Sequence, residues 1–413
     1  MTGPAERSPN TEPGEGATPD DDRVDAALAR TQPPTLGLLG KTGADKSSIV
    51  RVLTGSEAAE VGDGFRPCTR TAQQFDFPDP AAPVLRFLDT RGLGEPGYDA
   101  RADLAAFAAA THLVLLTVRV ADQSLAAVVD AMQQVRQSAP ERPSLLVLTC
   151  LHELHRETES IRIALRPDGR GLLVERPHDD ASSDASADTS ADTSPNASAA
   201  DASLQQAIDG QCERFAGLFD AVVAIDFTPI EWAMPVANLG EQQLRDAILD
   251  WLPQAQRQAG RLALTAAGNG VEQARLIGYA TAAATAAAVP LPWVDIPVVA
   301  GLQWRLSTEV ARHHGQSMDR TALGRMSGLI GTRAAIGMAI RGFLKGVPLL
   351  GSAINATTAF ASTYAAGAAA DFYFAARTAD QSPNAAAIRR VYEEQLQYAM
   401  QLWRRTQDDR TPE

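Results

Sequence analysis

The sequence predicts an α/β domain, a mixed and mostly parallel sheet with helices on both faces, followed by an all-α, Ala-rich region. Three observations predict it. Short apolar runs alternate with helical segments between residues 34 and 255. A loop rich in Gly and Lys, Gly40–Ser48, joins the first apolar run to the first helix of that alternation. Beyond Pro253 the alternation stops and long uncharged stretches take over.

Residues 1–33 read as a disordered leader. Met1–Asp22 is rich in Pro, Gly, Glu and Asp without an apolar core, so it is not expected to be a signal peptide. Val24–Arg30 has the pattern of a short helix. Thr35–Leu39 is a compact apolar strand, and Lys46–Leu53 a helix stopped by Gly55. Ala72–Phe77 and Val84–Leu88 are strands across a Pro-rich turn. A helix over Arg101–Ala109, a strand over His112–Val118 and a helix over Ala121–Gln137 follow. Ser144–Thr149 is a strand, Leu204–Phe219 a helix, Ala221–Phe227 a strand and Glu241–Leu252 a closing helix. Residues 166–203 break the alternation. Asp179–Ser203 within them consists almost wholly of Ala, Ser, Asp and Thr, and is expected to be a disordered acidic insertion.

The chain has 413 residues, 45% of them hydrophobic, and a net charge of −13. That balance excludes a general nucleic-acid binder. The charge is unevenly placed. Residues 1–255 hold 21 basic and 39 acidic side chains, and residues 256–413 hold 16 and 11. Only three residues are Lys: Lys41, Lys46 and Lys345. Cys68, Cys150 and Cys212 form neither a disulfide framework nor a metal-ligand spacing, which fits a reducing, cytoplasmic setting.

Gly40-Lys41-Thr42-Gly43-Ala44-Asp45-Lys46-Ser47-Ser48 lies between a strand and a helix, where a phosphate-binding loop belongs. Backbone N–H groups of such a loop wrap phosphates, and the helix N-terminus adds its dipole. Lys46 would reach the β- and γ-phosphates and Ser47 would ligate Mg²⁺. Asp45 stands where a second Gly is expected, and its carboxylate would repel phosphate. Two of the three lysines lie in this loop, which independently marks a phosphate site. Thr69, within Pro67–Arg70, is placed to supply a second Mg²⁺ ligand. Asp89-Thr90-Arg91-Gly92 ends a strand as D-x-x-G, with Asp89 on Mg²⁺ and the Gly92 N–H on the γ-phosphate. The fold expected is therefore that of a P-loop NTPase.

Gly40–Ser48, Pro67–Arg70 and Asp89–Gly92 resemble the Era/TrmE-like branch of small bacterial GTPases. The helical back half, with Val289–Pro297 its most suggestive stretch, resembles the YcjF-like C-terminal domain fused to some of them. The resemblance spans residues 34–375. It implies a G domain binding GTP and Mg²⁺, and a membrane-associated helical domain over residues 256–413. Two departures stand out. Guanine is read in such proteins by an N/T-K-x-D element, here Thr149-Cys150-Leu151-His152, with Glu153 next. Thr149 fits, whereas His152 or Glu153 has to replace the missing Asp. Leu93 follows the D-x-x-G in place of a water-orienting Gln, so intrinsic hydrolysis is expected to be slow and no catalytic residue is assigned. A degenerate G domain serving as a scaffold, and an ATP-binding P-loop protein, remain open on these residues.

In the back half, Leu276–Val294 and Gly346–Ala370 carry no charge over 19 and 25 residues. Both are long enough to cross a bilayer, but Ala, Gly and Thr drive insertion weakly, and Pro290 and Pro292 within the first stretch and Pro297 just after it would break a continuous helix. The reading is a helical hairpin on or partly in the inner face of the cell membrane, with a soluble bundle as its competitor. The partners expected are guanine nucleotide, membrane lipid, and a second copy or another protein.

Overall fold

Thr35–Leu39 forms strand β1, and all five residues are buried. The computed structural model describes residues 19–55, 66–67, 72–78, 80–90, 101–154, 162–165, 172–175, 195–228, 237–288, 295–318 and 351–408. The chain divides into two units. One comprises Pro33–Gly278 with Arg405–Glu413, the other Met1–Gln32 with Tyr279–Arg404.

In the first unit β1 sits within a seven-stranded sheet of order β2-β3-β4-β1-β5-β6-β9. The strands are β2 Arg66–Pro67, β3 Ala72–Phe77, β4 Leu85–Thr90, β5 Leu113–Arg119, β6 Ser144–Thr149 and β9 Ala221–Ala224. β4 and β5 flank β1 in parallel, and β6 and β9 continue in parallel, while β2 and β3 run antiparallel at one edge. Strands buried on both sides read as continuous apolar runs. Leu113–Val118 and Ser144–Thr149 are wholly buried.

The period of two sorts their side chains. Val114, Leu116, Val118, Leu146, Leu148 and Val222 pack in one cluster with Leu104 and Phe107 of α3 (Arg101–Ala110) and with Val128, Met132 and Val135 of α4 (Ala126–Ser138). Ile208 and Phe215 in and just after α5 (Pro195–Arg214) join them. Each such apolar side chain contributes about 1.5–3 kcal/mol of transfer free energy. Helix α3 comes so close to β1 that a Cβ on Gly37 would stand 2.5 Å from Phe107 Cζ. Helices α2 (Lys46–Thr54), α6 (Glu241–Trp251) and α7 (Gln254–Gly268) pack on one another apart from that cluster.

The segment expected to be a disordered insertion, 166–203, is corrected in part. β7 (Arg162–Leu165) and β8 (Leu172–Glu175) form an antiparallel hairpin. Helix α5 starts at Pro195, where a fixed φ and a missing N–H suit a first turn. Gln205 donates to the Leu172 carbonyl at 2.9 Å and joins the two elements. Residues 176–194 lie outside the described residues.

The second unit is helical. It contains α1 (Pro19–Arg30), the part of α8 (Val271–Ala287) from Tyr279 onward, α9 (Asp295–His313), α10 (Gly351–Thr378) and most of α11 (Ala385–Asp408). The leader thus contributes a helix. Val24 of α1 fits over Gly301 of α9, where a Cβ would come within 2.5 Å of it, and Asp25 pairs with Arg305. Phe360 of α10 meets Trp403 of α11 at 4.7 Å between ring centroids, and Tyr364 meets Tyr398 at 5.8 Å. Among the described residues no helix is long and apolar enough to cross a membrane. Ala, Gly and Thr give α10 little hydropathy, and its buried faces are occupied by aromatic and small side chains of this unit.

One contact beside β1 is sensitive to pH. The Thr35 N–H donates to His112 Nδ1 at 2.9 Å, which requires an unprotonated nitrogen. Burial, followed by the charges of Arg142 and Arg86, pushes the His112 pKa down. The unfolded chain therefore binds a proton below about 6.5 that the folded chain does not. Stability should be flat on this account above that pH and fall below it. Denaturant titrations at pH 7 and pH 5.5 should show a smaller acid loss in His112→Gln than in wild type; equal losses would refute the assignment.

Candidate functional site

The C-terminal ends of β1, β4, β5 and β6 come together where β1 has neighbours on both sides, the crevice in which open α/β sheets bind ligands. The loop Gly40–Ser48 leaves β1 there. A Cβ on Gly40 would stand 2.3 Å from the Thr117 carbonyl oxygen, so only Gly lets the loop start against β5. Gly43 has φ 81°. Asp45 takes the left-handed conformation (φ 57°, ψ 26°) expected of the Gly it replaces and caps α2 without a side-chain hydrogen bond to the helix.

Lys46 is the hub. Its ammonium donates to the carbonyls of Gly40 at 2.9 Å and Lys41 at 3.0 Å, and lies 3.7 Å from Asp89 Oδ1 at the end of β4. The Ala44 N–H bonds back to the Lys41 carbonyl. Ala44 is buried under the loop, Thr42 and Ser47 are exposed, and Ser48 is half-buried. The first turn of α2 holds no acidic residue. The structure thus brings residues 40–48 and Asp89 together. Thr69, Gly92 and Leu93 lie outside the described residues.

The Asp45 carboxylate accepts a hydrogen bond from Cys150 Sγ at 3.0 Å. Cys150 directly follows β6, is buried, and also has positive φ (57°). Burial, then Asp45, pushes its thiol pKa up to about 12, so the sulfur stays a neutral donor. Lys41 turns the other way, to Asp122 Oδ2 at 2.8 Å and the Ser124 carbonyl at 3.1 Å. Burial pushes Asp122 up, but the Lys41 hydrogen bond, the Ser124 N–H and nearby positive charge outweigh it and hold the carboxyl below its ordinary range.

Two residues after Thr149 the chain enters a 3-10 turn, Leu151–Glu153. Thr149 is buried and bonds the Val118 carbonyl, tying β6 to β5. Glu153 pairs with Arg119, the last residue of β5, whose Nη1 lies 3.9 Å from a Cβ built on Gly43. His152 is tied to Asp226, two residues beyond β9. Its backbone N–H and its Nδ1 both lie 2.8 Å from Asp226 Oδ2. Asp226 is 2% exposed. Asp122, Arg119 and Asp226 were not reached by sequence reasoning. Asp226 did leave a signal, a carboxylate inside the apolar run Ala221–Phe227. A cleft of about 490 Å³ opens beyond Thr228, between Arg51, Glu241 and Arg245, and no residue of the phosphate loop lines it.

A family model described as 50S ribosome-binding GTPase matches residues 35–150. This segment is similar to the domain of small bacterial GTPases. The match begins with β1 and ends at Cys150, so it takes in the phosphate loop and Asp89 but not His152. That similarity supports GTP binding by this segment. No curated protein matches the chain.

The Cys150 thiol should resist iodoacetamide at pH 8.5 in the folded protein and react once denatured. Peptide mass spectrometry distinguishes it from Cys68 and Cys212, and rapid native alkylation at Cys150 would contradict its burial against Asp45.

Proposed function

We propose that the chain is a switch that binds GTP with Mg²⁺, hydrolyses it slowly, and signals through its helical unit at a membrane surface. The loop closed around Lys46, with Asp89 3.7 Å from the ammonium, is the observation that supports this most. The residues fit Mg²⁺: the exposed Ser47 hydroxyl and the Asp89 carboxylate are hard oxygen donors at the ends of adjacent elements. Thr69 would add a third. When bound, the ion would neutralise phosphate charge; Lys46 and the α2 N-terminus would orient the phosphates. Asp45 opposes this. Its carboxylate belongs to the phosphate loop itself, and the partner holding it, the Cys150 thiol, is a neutral donor that brings no positive charge.

Titration of a fluorescent GTP analogue in Mg²⁺ should give saturable binding that Lys46→Ala abolishes. Asp45→Gly should bind about tenfold more tightly, the equivalent of about 1.4 kcal/mol of relieved like-charge repulsion. Binding indifferent to Lys46 would refute the switch, and a loss on Asp45→Gly would assign Asp45 to holding the loop.

The membrane role rests on the resemblance of the helical back half and on Trp304 of α9, 45% exposed next to Arg305. An interfacial Trp beside cationic side chains suits contact with anionic headgroups, without any spanning helix. The full chain should float with phosphatidylglycerol vesicles at low salt and be released by high salt. Protein left at the bottom of both gradients would remove the membrane from the proposal.

A further inference from the structure

The turn after β6 lacks the carboxylate that would accept both donors of a guanine edge, and Glu153, the neighbouring substitute, is engaged by Arg119. His152 is held differently. Both its N–H and its Nδ1 meet Asp226 Oδ2 at 2.8 Å, while Asp226 Oδ1 accepts the Thr228 N–H at 3.1 Å. The Thr228 hydroxyl is 3.3 Å from the same Nδ1. Both oxygens of Asp226, 2% exposed, already accept backbone N–H groups, so Nδ1 meets Oδ2 as the donor of that contact. The ring's other nitrogen, Nε2, is then an acceptor, and it makes no hydrogen bond among the described residues. The turn is anchored to the phosphate loop by Cys150–Asp45, two residues before His152.

We infer that the base is read by a His152–Asp226 pair, with Nε2 as a single acceptor for the N1–H of a 6-oxopurine and Asp226 as a positioning residue that fixes the tautomer. This rests on the nucleotide reading above and narrows its substrate class. A site with two acceptors strongly rejects an analogue lacking one donor, because a buried acceptor is left unpaired. A single acceptor leaves nothing unpaired when the exocyclic amine is absent, so inosine and guanine triphosphates are bound alike. Adenine presents a lone pair at N1 and is disfavoured.

The test is displacement of a fluorescent GTP analogue from the full-length protein, in Mg²⁺, by GTP, ITP, ATP and inorganic tripolyphosphate. Wild type should bind GTP and ITP within about threefold of each other and ATP at least tenfold more weakly. His152→Ala should weaken GTP and ITP together by about tenfold and leave tripolyphosphate unchanged. Asp226→Asn should do the same if it folds, as checked by thermal melting; His152→Ala decides the matter if it does not. Rejection of ITP by more than about thirtyfold relative to GTP, or GTP binding that depends on Lys46 but not on His152, overturns this inference alone. Loss of all displacement, with Lys46→Ala indistinguishable from wild type, overturns the nucleotide reading and this inference with it.

Discussion

The Lys46 ammonium, wrapped by the carbonyls of Gly40 and Lys41, is the interaction on which the rest of the site depends. Those contacts curl the chain after β1 into a closed loop, and that curl is possible only because Gly40 abuts the Thr117 carbonyl without a Cβ. The loop in turn sets where α2 begins, with Asp45 in the left-handed conformation at its N-cap. A parallel sheet supplies that crevice by topology: β1 is crossed over to both neighbours, so the strand ends on either side open away from the connections.

Around this hub the charged groups are placed in pairs. Lys41 goes to Asp122, Arg119 to Glu153, and the uncompensated Asp45 carboxylate to a neutral thiol. Each pair joins elements far apart in sequence, so the ends of β5 and β6 and the phosphate loop form one electrostatic unit. Asp45 is the odd member. Its backbone reproduces the left-handed geometry of a glycine, since Asp tolerates that region better than most residues, but its side chain brings charge where phosphate is expected. Loop shape and loop charge have come apart at this position.

The helical unit follows a different rule. Its helices are rich in Ala and Gly and bring backbones close, as with Val24 over Gly301, while a few aromatic contacts such as Phe360 with Trp403 fill the wider gaps. Length without charge looked like a membrane signal. Among the described residues the small side chains supply too little hydropathy for a span, and they let helices of this unit approach one another.

The sequence by itself determined the alternation of the main strands and helices between residues 34 and 255, though not the short strand β2, the β7–β8 hairpin or the start of α5, and it located the phosphate loop. Those features rest on local rules, hydrophobic period and Gly/Lys spacing, which act over a few residues. The mixed sheet and the carboxylate at Asp89 were legible for the same reason. Tertiary structure alone decided what holds the side chains of the site. His152 meets Asp226, Lys41 meets Asp122, and Asp25 of α1 meets Arg305 of α9, across separations of 74, 81 and 280 residues. No local pattern encodes such pairs. They exist because parallel crossovers and helix packing bring strand ends and helix faces together, and a buried or half-buried charge must then find its partner there.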